Sequence, residues 1–244
     1  TRVNKFLVDA KIAAGHLFGY LETFDEQSTN GYGEGFHGMI EMDFTSMVKA
    51  EAVALFANKN GEKFFFVDAA VALSTGIPVG PFSITGFAGG ASYRMTETFG
   101  DNDPPEQTKN TLPAPGTSLS GTRYIFEPSR GLGLKAGITL GLTSSPEAFN
   151  GSLVFGIEFN SDEDGGGVAK ISLNGKGQFM MKAKITGPKV EDAGSKPSGV
   201  QGKISAHVRF EYDFNAKEFS GNMAAYIDAP LIKGEGHVNV LANS

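Results

Sequence analysis

The sequence predicts an all-β fold: long, strongly curved antiparallel sheets wound as a meander, with little helix. Sandwich, roll and barrel-like arrangements all satisfy the pattern. Three observations carry the expectation. First, from Ala169 to Ile185 every second residue is apolar or Gly, while the alternate set runs from Lys170 to Lys184 and is polar apart from Met180. A period of two is that of a strand with one apolar and one polar face. Second, Asn60-Gly61 between two apolar runs is a type I′ hairpin signal. Third, Gly supplies 33 of 244 residues without a Gly-X-Y period, and several glycines fall inside strand patterns, where they mark bends or close backbone approach.

The elements follow in order. Lys5 to His16 reads as a strand or a short helix. Asp25 to Gly35 is a polar, Gly-rich loop. Val48 to Phe56 and Lys63 to Leu73 flank the Asn60-Gly61 turn. Pro78 and Pro81 are expected to break the next pattern, because Pro donates no ladder hydrogen bond. Phe82 to Met95 resumes as a strand interrupted by Gly86, Gly89 and Gly90. Thr96 to Ser120, with four prolines, is the longest irregular stretch. Leu132 to Leu142, Gly151 to Asn160 and Ala169 to Ile185 form the next strands. Gly187 to Gly199 is a loop. Lys203 to Phe214 alternates cleanly, with Ile204, Ala206, Val208, Phe210, Tyr212 and Phe214 expected inside. Phe219 to Ile227 and Ile232 to Val240 complete the meander.

Residues 1–244 read as one large β domain or as a fragment of a longer protein. The Pro-rich loop at 96–120 offers a subdivision into 1–100 and 121–244. The chain opens at Thr1 rather than Met, and Val238-Asn-Val-Leu-Ala has the look of an unfinished strand. Both features point to a piece of something longer.

Composition narrows function. The net charge of −6 and a pI near 5.3 argue against a nucleic-acid partner. Cysteine is absent, which removes disulfides, thiolate nucleophiles and Cys-ligated metals. No 18-residue apolar run is present, so no transmembrane helix is expected. Lys170, Lys176, Lys182, Lys184 and Lys189 occur without an intervening acid and read as a solvated strand face.

Candidate chemistry is sparse. Asn160, Asp162 and Asp164, followed by Gly165, place oxygen ligands at every second position, as at the start of a calcium loop. The terminal acid of such a loop is missing, because position twelve is Ile171, so a polar hairpin loop competes with calcium. Asp101, Asp103 and Glu106 form a second acidic group. His207 and His237 fall on polar strand faces, and alternation places Glu158 outward, in solvent. No Gly-x-Ser-x-Gly elbow is present, and Gly131-Leu-Gly133 opens a strand rather than a helix.

The segments Ile77-Pro-Val-Gly-Pro-Phe-Ser-Ile-Thr-Gly-Phe-Ala-Gly-Gly, Gly131-Leu-Gly-Leu-Lys-Ala-Gly-Ile and Phe149-Asn-Gly resemble the Gly-rich β segments of very large, repetitive surface or envelope proteins of Gram-negative bacteria. The likeness spreads over roughly residues 36–240. It implies a structural or adhesive role outside the cytoplasm. The expectation is therefore a non-catalytic structural or interaction module of a bacterial surface or envelope protein, joined to protein neighbours through sheet edges or ends. A hydrophobic-ligand carrier with a β-enclosed cavity is the alternative, since Phe has 20 copies. An outer-membrane β-barrel is the second alternative, weakened by six Tyr and no Trp for its girdles.

Overall fold

The computed structural model describes residues 4–13, 15–28, 30–44, 47–98, 114–119, 123–145, 148–179, 185–186, 189–190, 203–228 and 232–243. In chain order the strands begin with β1 (Lys5–Ile12), β2 (Gly15–Phe24), β3 (Glu34–Phe44), β4 (Val48–Lys59), β5 (Glu62–Val79) and β6 (Phe82–Tyr93). The short β7 (Met95–Thr98) and β8 (Arg123–Phe126) precede β9 (Arg130–Leu142), β10 (Phe149–Asn160) and β11 (Val168–Phe179). Next come the two-residue β12 (Ile185–Thr186) and β13 (Lys189–Val190), then β14 (Lys203–Asp213), β15 (Glu218–Asp228) and β16 (Lys233–Asn243). One 3₁₀ turn, Asp162–Asp164, links β10 to β11.

Twelve of these strands form one antiparallel meander in the order β1-β2-β3-β4-β5-β6-β9-β10-β11-β14-β15-β16. The sheet is not closed into a barrel; β1 and β16 are its edges, with no pairing between them among the described residues. The pairs β7-β8 and β12-β13 stand apart as two small hairpins.

Local chemistry explains most boundaries. Asn60 and Gly61 both have positive φ, 57° and 87°, as a type I′ turn requires. The opening segment is a β-hairpin, with Lys5 opposite Glu22 and Ile12 opposite Gly15. Pro78 does not end its strand. β5 has 18 residues against 12 in β4, so its last residues reach past that neighbour. Pro78 lies there, exposed, where a missing donor costs little. The break comes at Gly80, with φ 62°. Of the 17-residue strand expected from Ala169 to Ile185, the part up to Phe179 lies in β11, residues 180–184 lie outside the described residues, and Ile185 pairs with Val190 in the β12-β13 sheet. The irregular stretch after Thr96 is also bounded by structure, since Met95–Thr98 pairs with Arg123–Phe126.

The chain divides into two compact units. The first comprises Thr1–Val71, Gly89–Leu134 and Glu158–Gly167. Its core gathers Leu55, Phe64, Phe66, Met95, Leu119 and Tyr124 with smaller neighbours. The β7-β8 hairpin and residues 114–119 supply one side of this core. The Tyr32 hydroxyl donates to the Tyr124 carbonyl, tying together residues 92 apart in sequence. The Phe66 ring stacks on Tyr124 at 4.5 Å between centroids, 18° from parallel.

The second unit comprises Ala72–Ala88, Lys135–Ile157 and Val168–Ser244. Registers of β11, β14, β15 and β16 place like with like. Leu173 lies opposite Phe210 and Gly177 opposite Ala206, Val208 opposite Met223 and Met223 opposite Val238. Ser205, Arg209, Glu211 and Asp213 of β14 share the other face with Gln178, Asn174, Ser172 and Lys170 of β11. Here the expected orientation is corrected. Gln178 and Ser205 are fully buried, whereas Phe179 is 44% exposed and Met223 47%. Lys170, expected on a solvated lysine face, is buried. Gln178 donates to the Asn150 amide oxygen at 2.6 Å, a hydrogen bond within this buried polar surface.

Candidate functional site

The loop from Asn160 to Gly167 is built from within. Ser161 caps the 3₁₀ turn, its hydroxyl accepting from the Asp164 backbone N–H at 3.2 Å and donating to the Asp164 carboxylate. The Asn160 side-chain amide donates to the Gly166 carbonyl at 3.3 Å. Gly165, Gly166 and Gly167 all hold positive φ, a conformation that glycine adopts without strain. Of the candidate calcium ligands, Asn160 and Asp164 thus serve the loop's internal bonding, and Asp162 is exposed. Glu163 reaches outward to Arg94 at 3.5 Å. Among the described residues, no three His, Cys, Asp or Glu side chains gather closely enough to hold a metal ion. The second acidic group, Asp101, Asp103 and Glu106, lies outside the described residues, as do Lys182 and Lys184.

Glu158 overturns its expected outward placement. It is buried, with the Thr96 hydroxyl donating to one carboxylate oxygen at 2.8 Å and the Glu97 backbone N–H to the other at 3.3 Å. Arg130 Nε stands 3.8 Å away. The β7 strand covers this face, and the strand pattern of β10 alone contains nothing about β7. Gly133 is required here, because a Cβ would lie 2.3 Å from the Ser92 hydroxyl and 3.6 Å from Glu158 Cγ.

A second polar group sits on β1, β2 and β3. Glu22 accepts from Tyr20 at 2.9 Å and pairs with Lys5 at 3.1 Å and His37 at 3.4 Å. Burial holds the His37 imidazole below its usual 6.5, against the opposing pull of Glu22. Burial raises Glu22, but the hydrogen bonds and positive charge of its partners outweigh it and leave the carboxyl below 4.5. The sequence contains the alternation of Tyr20 and Glu22, yet only the register brings Lys5 and His37 beside them. The remaining histidines pair locally: His16 with Asp9 at 2.6 Å and His207 with Asn222 at 2.7 Å. His237 lies edge-on to Tyr226.

One surface left uncommitted by these polar groups is apolar. In β1 to β4 one set of aligned residues includes Phe6, Leu21, Gly38 and Ala54, continuing through Ile12, Ile40 and Phe56. Phe6, Leu21, Ile40 and Phe56 are all exposed. The opposite set carries the Lys5, Glu22 and His37 group. Phe36, Phe56, Phe65 and Tyr93 form a continuous stacked row, with centroid separations of 5.1, 5.5 and 6.2 Å. The second unit repeats the device, Phe149 contacting Phe82 at 6.2 Å and Phe179 at 4.9 Å. Gly175 and Gly177 belong to this surface too. A Cβ on Gly175 would lie 3.0 Å from Val208 Cγ1, and one on Gly177 would lie 3.5 Å from the Phe149 ring. These glycines admit neighbouring side chains.

No helix among the described residues is long and apolar enough to cross a membrane. Compared with known proteins, the chain matches no family model, no curated protein and no solved structure.

Proposed function

We propose that this chain is a non-catalytic structural or interaction module that joins protein neighbours through the edges of its sheet. One observation carries the reading: among the described residues β16 pairs with β15 on one side only, and all eleven of its residues are exposed. An edge strand presents unpaired N–H and C=O groups to any extended chain alongside. Proteins that avoid such pairing protect their edges with Lys, Pro or bulges. β1 carries Lys5, Asp9 and Lys11, but β16 from Val238 to Asn243 has neither charge nor Pro. Its alternation matches that of β1. A second copy's β1 laid on β16 keeps apolar residues beside apolar ones. The Gly-rich resemblance supports a place in a bacterial surface or envelope protein.

The absence of cysteine makes the test direct. Asp9→Cys and Asn239→Cys are prepared as separate variants and joined by a short bis-maleimide. Edge-to-edge pairing produces mixed dimers well in excess of either variant alone. Monomers at every concentration, by cross-linking and light scattering together, overturn the reading.

A further inference from the structure

We propose that the exposed apolar face binds lipid acyl chains, carried by the protein in aqueous solution. This face is distinct from the sheet edges, and lipid on it does not depend on edge pairing.

In β11, β14, β15 and β16 the face containing Leu173, Phe210, Met223 and Val238 carries no charged residue along any of the four strands. In β1 to β4 the corresponding set carries polar groups only near strand ends, at Thr23, Glu34 and Asn58, and Asn58 donates to Glu34 at 3.3 Å. Each unit thus exposes part of its apolar set: Phe6, Leu21, Ile40 and Phe56 in the first, and Phe179, Met223, Ile227, Val238 and Val240 in the second, where Leu173 and Phe210 are half-buried. The second unit also buries the polar partners Gln178 and Ser205 on the reverse side. Sheets with one wet face show the opposite order, with apolar residues inside and polar residues outside. Exposed apolar areas of this extent mark a surface that meets an apolar partner.

The chemistry of the face selects that partner. A protein interface brings about one hydrogen bond per 100–200 Å² and a polar rim. This face offers Phe, Leu, Ile, Val, Met, Ala and Gly, with few donors or acceptors beyond the hydroxyls of Tyr93 and Tyr212 to form such bonds. An acyl chain needs none, and each buried CH₂ is favourable by about 0.8 kcal/mol. The stacked rings of Phe36, Phe56, Phe65 and Tyr93, and those around Phe149, give each unit an apolar ledge running across several strands.

The open sheet separates carried lipid from bilayer interior. Among the described residues, β1 and β16 each pair on one side only, and hydrocarbon does not tolerate unpaired sheet edges. Both edges can stay in water while acyl chains cover the face. A spanning barrel would need them closed.

The test is native mass spectrometry of the whole chain purified without detergent, followed by organic extraction and rebinding of a phospholipid with a pyrene-labelled acyl chain. Expected are adduct masses that vanish on extraction, and saturable probe binding. Ile40→Lys and Met223→Lys, one in each unit, each weaken probe binding at least about tenfold by placing a charge against hydrocarbon. Ser172→Lys, on the polar face, leaves binding unchanged, and circular dichroism confirms that all three are folded. Three outcomes overturn the proposal: no saturable binding by folded protein, equal binding by the face variants and Ser172→Lys, or protein held in vesicles until detergent releases it. Failure of the edge reading would show in cross-linking alone and would leave these readouts untouched.

Discussion

Two phenylalanines of the first unit test which face of its sheet is the core. Phe66 on β5 is 1% exposed and stacked on Tyr124, whereas Phe56 on β4 is 39% exposed and stacked between Phe36 and Phe65. Removing a buried ring loses its transfer free energy and leaves a cavity, so Phe66→Ala costs about 3–5 kcal/mol. That includes about 1 kcal/mol for the lost aromatic pair. At Phe56 roughly three-fifths of the side chain's 1.5–3 kcal/mol is at stake. Water fills the space and no cavity term is added, so Phe56→Ala costs about 1–2 kcal/mol. Urea unfolding followed by far-UV circular dichroism suits a chain without Trp. With a slope of about 2 kcal/mol per molar, Phe66→Ala has its midpoint about 1 M below that of Phe56→Ala. Equal midpoints, or the reverse order, would refute the assignment of faces.

Three further outcomes follow from the polar groups. Unfolded His37 takes up a proton near pH 6.5, but the folded ring does so only at lower pH. The stability contributed by neutral His37 is therefore complete above that value and is lost as pH falls through the depressed one. Melting temperature should drop as pH falls below about 6.5, and His37→Gln should flatten the profile; an unchanged slope sinks the assignment. Gln178→Leu removes its hydrogen bond to the Asn150 oxygen and costs about 0.5–1.5 kcal/mol. The double variant with Asn150→Leu should lose less than the sum of the singles, and strict additivity in urea melts would deny the coupling. If Asn160, Asp162 and Asp164 take calcium, a free concentration one hundred times Kd raises stability by about 2.7 kcal/mol. A calorimetric melting temperature indifferent to calcium and chelator removes it from the account.

Periodicity made the strands legible, because a side-chain period of two requires only the strand itself. The pattern from Lys203 to Phe214 and the Asn60-Gly61 turn both correspond to observed elements. What covers each face was not legible. Alternation says that Gln178 and Phe179 point opposite ways, and the apolar member was assigned inward by the ordinary rule for proteins in water. Gln178 is buried and Phe179 exposed because burial depends on what packs over a face, and no local pattern encodes that. Glu158 shows the same gap: its partners Thr96 and Glu97 are 62 and 61 residues away. The Lys5, Glu22 and His37 group required register, which a single strand does not contain.

The outward apolar face is what the proposed lipid binding rests on. Had Phe179, Met223 and Ile227 been covered, the chain would be an ordinary two-layer β protein, with only its edges unexplained. Instead each unit keeps a largely apolar, ring-lined surface in contact with solvent. In the first unit the side chains across the sheet are held in a packed core, so the apolar set cannot turn inward without breaking it. A one-residue shift of register would reverse the faces, but it would also break the pairing of His37 with Glu22 and the packing of Phe66 on Tyr124. The fold thus holds the apolar face outward by the same contacts that stabilise it. Removing the outward rings should accordingly reduce lipid binding far more than stability, whereas removing inward rings should do the opposite.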